Sequence, residues 1–458
     1  MAGDTITSLS KRTYQVVVSA TRSMGIGKDG KLPWSLSSDV KFFHEITTFT
    51  SDPDKRNAVI MSRNSWEALA LDQWNCPLPG RLNLVLTRSV SSSIGTSKDV
   101  VVCGSMDSAL ELLATSPYCL SIEKVFVAGG DEILREALSA PGCNAIHITE
   151  IETNIECDTF MPPIDPTVFR PWYSSFPLVE NNIKYSFVTY VRMRSSAMEA
   201  LALNNGTTFD SSSPDNLKFG EKFSFLPEMI INRHEEYMYL KLVQDIISNG
   251  NHKDDKTGIL TLSKFGCQMR FNLRKSFPLL TTQKVFWGDV SEELFRFING
   301  SRNAKLVDVI EKVKNKPDDG RIVLSAWSPS DLKLMGLPPC QTFAQFYVAN
   351  GELSCQMYQH SADMTLGVPL TIASYAALTC MVAHVCGLAP GDFFHVIGDA
   401  RVCKFHISPL QEQLKRLPRH FPILKINPEK KDIGSFVVTD FKLMDYDPHQ
   451  KIEMEMAV

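Results

Sequence analysis

Runs of apolar, mostly β-branched residues recur in the first half of the chain, and such runs are typical of buried strands. Residues 14–20, 58–61 and 187–191 form three of these runs, and the last is expected to close a sheet. Residues 132–138 have helical spacing instead. From His234 onward, apolar positions three and four residues apart predict an amphipathic helix. They are Tyr237, Leu240, Val243, Ile246 and Ile247.

The second half of the chain contains a hairpin signal at Asn350 and Gly351. Residues 343–348 and 353–359 alternate between apolar and polar side chains, as strands with one buried face do. The Asn-Gly pair between them fits a two-residue turn. The two residues that flank this turn should therefore pair with each other.

Cys340 stands at the start of this hairpin, behind two prolines. Counting outward from the turn places it opposite Ser361 and places Gln341 opposite His360. A thiol among polar groups and cations can act as a nucleophile. Free cysteine is also among the most often buried residue types, so a structural role for Cys340 stays open. The polar cluster that the thiol would face comprises Gln359, His360, Ser361 and Asp363.

A lone carboxylate, Asp39, lies on the apolar side of a predicted helix that follows the glycine-rich loop 25–34. We expect Ser37 or Ser38 to cap this helix. Desolvation beside apolar residues would raise the pKa of Asp39 into a range useful for proton transfer. Aspartate is also simply favoured in the first turn of a helix. The apolar neighbours are Phe42, Phe43 and Ile46.

Two segments carry groups that bind phosphate. Gly129-Gly130 follows a predicted strand and precedes a predicted helix, whose first backbone N–H groups attract anions. Arg63, Asn64 and Ser65 follow another strand and add a cation. A Gly-Gly pair is equally typical of a tight turn, so the sequence leaves both interpretations open.

Composition is that of an ordinary globular chain, with 458 residues and 44% hydrophobic positions, enough for two or three domains. A net charge of −4 gives no electrostatic case for nucleic acid or a membrane surface as a partner. The 11 scattered cysteines lack metal-binding spacing, so we expect no metal and a reducing, cytoplasmic setting. No apolar run stands out as long enough to span a bilayer. The first 13 residues are weak evidence for an organelle address, so import stays open.

Residues 14–192 resemble dihydrofolate reductase. The resemblance rests on the loop 25–34, on Asp39, on the Pro-Leu-Pro-Gly-Arg turn that ends at Arg81, on Gly129-Gly130 and on Thr149. It implies an α/β domain with a mostly parallel central sheet and flanking helices. It also implies reduction of dihydrofolate by NADPH, in which the acid matched by Asp39 promotes protonation of the pterin.

The same resemblance assigns ligand contacts. Arg81 would clamp the glutamate carboxylate of the folate, the alternative being an ordinary solvated arginine. Folate-contacting positions are Val18, Leu32, Val40, Phe43, Arg81, Ala128 and Thr149. Positions that contact NADPH are Ala20, Ile26, Gly27, Lys31, Arg63, Asn64, Ser65, Leu86, Thr87, Gly129 and Gly130. Ser62 replaces a family glycine and would strain a positive φ or crowd the pyrophosphate, and Asp131 adds a carboxylate nearby. We expect weaker cofactor binding.

Residues 234–458 resemble thymidylate synthase, and the order of the two halves resembles the fused, plant-type bifunctional family. The segments that match this family include residues 278–282, residues 285–287, Glu293 and Cys340, the cysteine that follows two prolines. The resemblance implies an α+β domain with a dimer-forming sheet. It also implies methylation of dUMP to dTMP with methylenetetrahydrofolate, begun by attack of Cys340 on the base.

A block of the family sequence is missing after Lys305. The chain passes there directly into a helix that the family reaches only much later, so apolar neighbours should be left uncovered unless the region repacks. The predicted organisation is a reductase-like domain at residues 1–194, a Ser/Asn/Gly-rich linker at 195–230 and a shortened synthase-like domain at 231–458.

Several positions that should hold dUMP are altered. Of the arginines that grip the phosphate in the family, one is Lys256, one is Gly320 and one is His360. Thr371 replaces the asparagine that selects uracil, and Arg401 and Cys403 replace a His-x-Tyr pair. We therefore expect negligible dTMP synthesis. The dUMP-site positions are Lys256, Arg321, Gln341, Gln359, His360, Ser361, Asp363, Thr371, Arg401 and Cys403.

Three interpretations follow. The chain is a reductase whose second half mainly forms a homodimer, or a silent family member that forms a mixed dimer with an intact relative and modulates it. A fully working bifunctional enzyme ranks below both, because restoring the missing block would not explain His360, Thr371 or Arg401.

Overall fold

The computed structural model describes residues 12–71, 76–88, 98–193, 225–254, 260–299, 303–325 and 340–454. The chain divides into two compact units, residues 1–233 and 234–458. Most of the predicted linker, from residue 195 to residue 224, lies outside the described part. Its last residues, from 225 onward, pack on the first unit, where Leu226 and Ile230 are buried in the core. The first unit therefore extends past our predicted boundary at residue 194.

The first unit contains eleven described strands and six described helices. The strands are β1 Tyr14–Thr21, β2 Gly25–Gly27, β3 Arg56–Ser62, β4 Arg81–Leu86, β5 Val100–Cys103, β6 Ile122–Val127, β7 Cys143–Ile151, β8 Thr159–Phe160, β9 Phe169–Ser174, β10 Leu178–Glu180 and β11 Ile183–Arg192. The helices are α1 Ser37–Thr48, α2 Arg63–Leu71, α3 Met106–Ala114, α4 Tyr118–Ser121, α5 Asp131–Ser139 and α6 Glu228–Ile231.

Nine of these strands form one sheet in the order β10-β11-β7-β1-β6-β3-β4-β5, with β9 also paired to β11. All pairs from β7 to β5 are parallel, and β9, β10 and β11 join antiparallel. Consecutive residues of β1, Val16 and Val17, are both buried, because the two faces of a parallel sheet are covered. This explains the unbroken apolar runs and confirms the predicted α/β domain.

Helix α1 starts differently from our prediction. Neither Ser37 nor Ser38 caps it, since its N-cap is Leu36 and no side chain of its own caps it. Instead Glu180 from β10 accepts hydrogen bonds from the backbone N–H groups of Ser37 (2.6 Å) and Ser38 (3.2 Å). The glycine-rich loop also contains a short strand, Gly25–Gly27, which pairs with β8.

The second unit contains a six-stranded sheet in the order β12-β13-β17-β16-β15-β14. Its strands are β12 Asn251–Asp254, β13 Leu260–Asn272, β14 Val323–Ser325, β15 Gln341–Ala349, β16 Glu352–Asp363 and β17 Ala389–Cys403, and β18 Ile423–Ile426 pairs with β19 Phe441–Met444. The helices are α7 Glu236–Asn249, α8 Trp287–Asn299, α9 Asn303–Asn315, α10 Gly367–Cys386 and α11 Ile407–Leu414, with 3-10 turns at Lys404–His406, Ile433–Ser435 and Val438–Asp440. This mixed sheet with helices confirms the predicted α+β domain.

Helix α10 is long and apolar enough to cross a membrane by length and composition, a feature that our sequence analysis missed. Its most apolar window is 83% buried inside the protein. Ile372, Ala376 and Val382 are among its fully buried residues. Helix α10 is therefore the core helix of the second unit.

The hairpin turn forms as predicted, with Ala349 paired to Glu352 and with positive φ at Asn350 (53°) and Gly351 (75°). The predicted pairing of the two hairpin strands is wrong at the end that lies away from the turn. A β-bulge between Gln341 and Phe343 shifts the pairing by one residue, so Gln341 lies opposite Gln359 and not opposite His360. An extra residue in one strand cannot be read from alternation alone.

Helix α9 follows α8 where the family block is missing, with residues 300–302 outside the described part. Its residues Leu306 and Val309 are fully buried, so this helix fills part of the core. Phe286 and Val307 stay exposed nearby in sequence. Apolar side chains of this region are therefore partly covered and partly exposed.

Candidate functional site

A buried acid–hydroxyl pair lies in the first unit. Asp39 from the first turn of α1 accepts a hydrogen bond from Thr149 of β7, with 2.6 Å between Thr149 Oγ1 and Asp39 Oδ1. Burial raises the pKa of Asp39, and the hydrogen bond from Thr149 opposes part of that rise. The direction of this shift is the one expected from the sequence.

Val40 and Phe43 of the predicted folate set lie on α1 with Asp39, and Leu32 lies in the loop that precedes this helix. Leu32 and Val40 are exposed, whereas Phe43 is half-buried against the core. Exposed large apolar residues beside a desolvated acid are typical of a ligand pocket. Val18 and Ala128 are half-buried, and the Ala128 N–H donates to the carbonyl of Ile60.

Arg81 is not a solvated arginine, because only 2% of it is exposed. Its Nη1 donates to Thr47 Oγ1 (2.6 Å) and its Nε to the carbonyl of Pro79 (3.1 Å). No carboxylate among the described residues pairs with it, and burial lowers its pKa to about 10. A buried guanidinium without an acidic partner fits an anionic ligand group.

The predicted cofactor residues gather at one edge of the sheet. Strands β1, β3, β4 and β6 are parallel, so their carboxyl ends meet at this edge, where open α/β sheets bind ligands. Among these residues, Ala20 lies near the end of β1, Leu86 ends β4 and Thr87 follows it. Arg63, Asn64 and Ser65 follow β3, and Gly129 and Gly130 follow β6. Ile26 and Gly27 belong to β2, and the backbone of Lys31 forms an isolated antiparallel β-bridge with that of Lys28.

Gly129 has no room for a side chain. Its φ is 153°, and an added Cβ would lie 2.9 Å from Ile133 Cγ2 and 3.1 Å from Ser65 Oγ. Gly130 caps α5 without any side-chain hydrogen bond, so the first N–H groups of that helix have no side-chain acceptor at the cap. These features fit close approach of a phosphate to the backbone.

Ser62 acts differently from our expectation. It is not among the described residues with a positive φ, so the predicted backbone strain is absent there. Its Oγ accepts a hydrogen bond from the backbone N–H of Ser65 (3.3 Å) and lies 2.9 Å from Ser65 Oγ. Ser62 therefore occupies one of the helix N–H groups that would otherwise face a phosphate.

Acidic side chains also engage the cations of this edge. Arg63 Nε donates to Glu67 Oε1 (2.7 Å) within α2. On the surface of α5, Asp131 Oδ2 lies 3.8 Å from Arg135 Nη2. The first contact competes with any anionic ligand for Arg63.

In the second unit, Cys340 is exposed, which argues against a buried structural role. Its carbonyl accepts a hydrogen bond from the N–H of His360 (3.1 Å). Next to it, Gln341 Nε2 donates to Glu293 Oε1 (3.3 Å), and Ser374 Oγ donates to Glu293 Oε2 (2.8 Å). Sequence analysis missed Ser374, because it comes from the middle of the core helix α10.

Two predicted dUMP contacts are buried in the protein. Gln359 Oε1 lies 2.9 Å from Nε2 of His395, whose pKa is lowered to about 3 by burial. Thr371 is almost fully buried in α10. Ser361 is half-buried opposite Asp399 of β17.

The remaining cations of this region are engaged by neighbouring acids. Arg401 donates from Nε (2.9 Å) and Nη2 (2.7 Å) to Asp399 Oδ2. Arg321 is exposed and pairs with Asp319 at 3.0 Å. Lys256 lies outside the described residues.

Asp363, Cys403 and His406 form a cluster that the sequence did not predict. Their potential ligand atoms all lie within 4.8 Å of one another. Asp363 Oδ2 accepts a hydrogen bond from the N–H of Leu366 (2.9 Å), and Oδ1 is buried without a hydrogen-bond partner among the described residues.

Both units are similar to known protein families. The family model for dihydrofolate reductase matches residues 13–192, and that for thymidylate synthase matches residues 237–308 and 304–458. The chain is 59% identical to a bifunctional dihydrofolate reductase-thymidylate synthase of Glycine max, with 98% of this chain and 96% of that protein covered. It is 56% identical to bifunctional dihydrofolate reductase-thymidylate synthase 1 of Arabidopsis thaliana, with 99% and 98% covered. The two synthase matches meet at residues 304–308, where the family block is missing.

Proposed function

The chain belongs to the bifunctional dihydrofolate reductase–thymidylate synthase family, and we propose that it reduces dihydrofolate with NADPH while producing negligible dTMP. The observation that carries the first part is the pair of Asp39 and Thr149, 2.6 Å apart beside exposed apolar side chains. The raised pKa of Asp39 favours the protonated form of this carboxyl group, which a role in proton transfer requires.

Each residue of the first site has a role in this reaction. Asp39 would hold the pterin by hydrogen bonds and raise the local supply of protons, while Thr149 orients the carboxyl group. Leu32, Val40 and Phe43 would cover the ring and exclude water. Arg81 would bind the carboxylate of the folate tail, because that buried cation has no acidic partner among the described residues.

Residues at the carboxyl edge of the sheet fit a dinucleotide phosphate. Gly129 leaves a cradle that a Cβ would fill, and the starts of α2 and α5 supply backbone N–H groups there. When bound, NADPH supplies the hydride. Ser62, by occupying the Ser65 N–H, is expected to weaken this grip.

The proposed loss of dTMP synthesis follows from the phosphate grip. A hydrogen bond to a charged group contributes about 1.5–3 kcal/mol, so arginines replaced by Gly320 and His360 remove roughly 3–6 kcal/mol. This corresponds to about two to four decades in dUMP affinity. Arg401 is a poor substitute, since two of its donors bind Asp399.

The second unit is expected to form a dimer through the outer face of its sheet. Tyr347 of β15 is 66% exposed. Phe343 and Tyr358, a directly opposed cross-strand pair, are also exposed. An open sheet face of this apolar character supports an interface with a second chain.

A mixed dimer with an intact relative is the second candidate function. The outer aromatic face is retained, whereas ligand positions such as His360 and Thr371 have changed. In such a dimer the exposed Arg321 would be the one cation of its pair lent to the partner's phosphate site.

Spectrophotometric assays of the purified chain separate these candidates. Oxidation of NADPH that depends on dihydrofolate supports the reductase. Absence of that activity, together with purification of the chain bound to an intact relative, supports the regulatory role. Micromolar binding of dUMP in a titration would contradict the account of the phosphate grip.

A further inference from the structure

We propose that Asp363, Cys403 and His406 bind a divalent transition-metal ion of the zinc class. This site does not depend on the proposed reductase activity, because all three residues belong to the second unit. Asp363 and Cys403 are also predicted dUMP-site positions, whereas His406 is not.

Two neighbouring strands and the turn after the second strand bring the ligands together. Asp363 ends β16, Cys403 ends the neighbouring parallel strand β17, and His406 ends the 3-10 turn that follows. Asp363 lies directly opposite Arg401, two residues before Cys403, and the N–H of Met364 donates to the carbonyl of Arg401 (2.9 Å). The sheet therefore fixes the aspartate beside the Cys-x-x-His segment.

Distances within the cluster suit one metal ion. Tetrahedral zinc has ligand bonds of about 2.0–2.3 Å, which places ligand atoms roughly 3.2–3.8 Å apart. The three potential ligand atoms lie within 4.8 Å of one another, so small side-chain rotations bring them to that spacing. Rotamer changes of this size do not require movement of the backbone.

The ligand set selects the type of metal. A thiolate and an imidazole are soft or borderline ligands that favour zinc and cobalt, whereas Mg²⁺ and Ca²⁺ prefer sites made of oxygen. Cys403 and His406 are buried and Asp363 is half-buried, so a fourth ligand such as water would enter from the side of Asp363. Three protein ligands and one open position are typical of zinc sites that bind further molecules.

Asp363 supplies an independent reason for an ion. Its Oδ1 is buried and has no hydrogen-bond partner among the described residues, although Oδ2 accepts the N–H of Leu366. Leaving a buried carboxylate oxygen without a partner is unfavourable. A bound cation would satisfy this oxygen, and the thiol of Cys403 would release its proton to solvent on binding.

Cobalt titration of the purified, tag-free chain tests the proposal, because a cobalt–thiolate bond produces a charge-transfer absorption band. We expect one equivalent of Co²⁺ per chain with this band, and displacement of the cobalt by Zn²⁺. Cys403→Ser should abolish the band, and Asp363→Asn should weaken Co²⁺ binding at least about tenfold. Cys386→Ser, which changes another cysteine of the same unit, should leave the titration unchanged.

Circular dichroism of each variant shows that it is folded, and Cys403→Tyr serves as a second variant that removes the thiol while filling its space. Absence of the thiolate band in the wild-type chain would overturn the proposal. Persistence of the band in both Cys403 variants, or its loss in Cys386→Ser, would place the cobalt elsewhere and would overturn it equally.

Discussion

Thr149 Oγ1 donates a hydrogen bond of 2.6 Å to Asp39 Oδ1, joining a central strand to the first turn of a helix 110 positions away in sequence. Burial and this hydrogen bond change the pKa of Asp39 in opposite directions. Burial raises the pKa of Asp39, and the hydrogen bond stabilises the charged form and lowers it. The balance between them sets the pH range in which this carboxyl group keeps a proton.

Asp39→Asn should reduce the rate of dihydrofolate reduction by about 10²–10⁴-fold at neutral pH, because it removes the group that governs protonation. The same change should stabilise the fold. A raised folded-state pKa gives stability that is present below the unfolded pKa and is lost as pH rises through the folded pKa. Above that pH, Asp39 of the wild-type chain carries a buried negative charge, whereas the asparagine of the variant stays neutral. Steady-state kinetics and thermal unfolding at several pH values check both effects, and a variant that loses activity and stability together would contradict this prediction.

Thr149→Val should move the reductase pH profile to higher pH. The substitution removes the hydrogen bond that lowers the pKa of Asp39, while burial remains. A lost hydrogen bond to a charged group of about 1.5–3 kcal/mol corresponds to a displacement of roughly 1–2 pH units. The matched control is Thr167→Val, whose hydroxyl bonds to Asp165 on the surface. An unchanged profile in Thr149→Val would contradict the role given to this hydroxyl.

Arg81→Leu should raise the KM for dihydrofolate by about 10- to 150-fold, the equivalent of one lost charged hydrogen-bonding partner. The effect should be absent for a dihydropterin substrate that lacks the glutamate tail, since Arg81 is assigned to that carboxylate. Comparison of the two substrates in wild type and variant isolates the interaction. Equal loss with both substrates would show that Arg81 acts only through the structure around Thr47.

Ser62→Gly should lower the KM for NADPH by about 2- to 10-fold, because it frees the Ser65 N–H for a phosphate at the strength of one ordinary hydrogen bond. Loss of the helix cap costs only a few tenths of a kcal/mol when glycine replaces serine. Ser105→Gly makes the same change at the start of α3, where Ser105 Oγ accepts a hydrogen bond from the backbone N–H of Ser108. That control should leave the KM for NADPH unchanged, and a similar KM in wild type and Ser62→Gly would remove Ser62 from the cofactor site.

Local patterns predicted the elements that bear the sites. The Asn350-Gly351 turn could be predicted because both residues tolerate the positive φ that a two-residue hairpin requires. The raised pKa of Asp39 followed from its position beside apolar residues on one helix face. Such features depend on residues that are neighbours in sequence.

Other features depend on contacts between distant segments, which one sequence does not specify. Glu180 holds the start of α1 from a strand more than 140 residues later. The bulge before Phe343 displaced the partner of Gln341 by one residue. The cluster of Asp363 with His406 arises only when two strands pair in register. Alternation and spacing carry no information on these arrangements.

The central claim is that the first unit still performs its reaction while the second no longer makes dTMP. The most direct test measures dTMP formed from dUMP and methylenetetrahydrofolate by the same purified preparation that oxidises NADPH with dihydrofolate. We predict dihydrofolate-dependent oxidation of NADPH and no dTMP above the level of a Cys340→Ser variant. Formation of dTMP by the wild-type chain above that level would contradict the account.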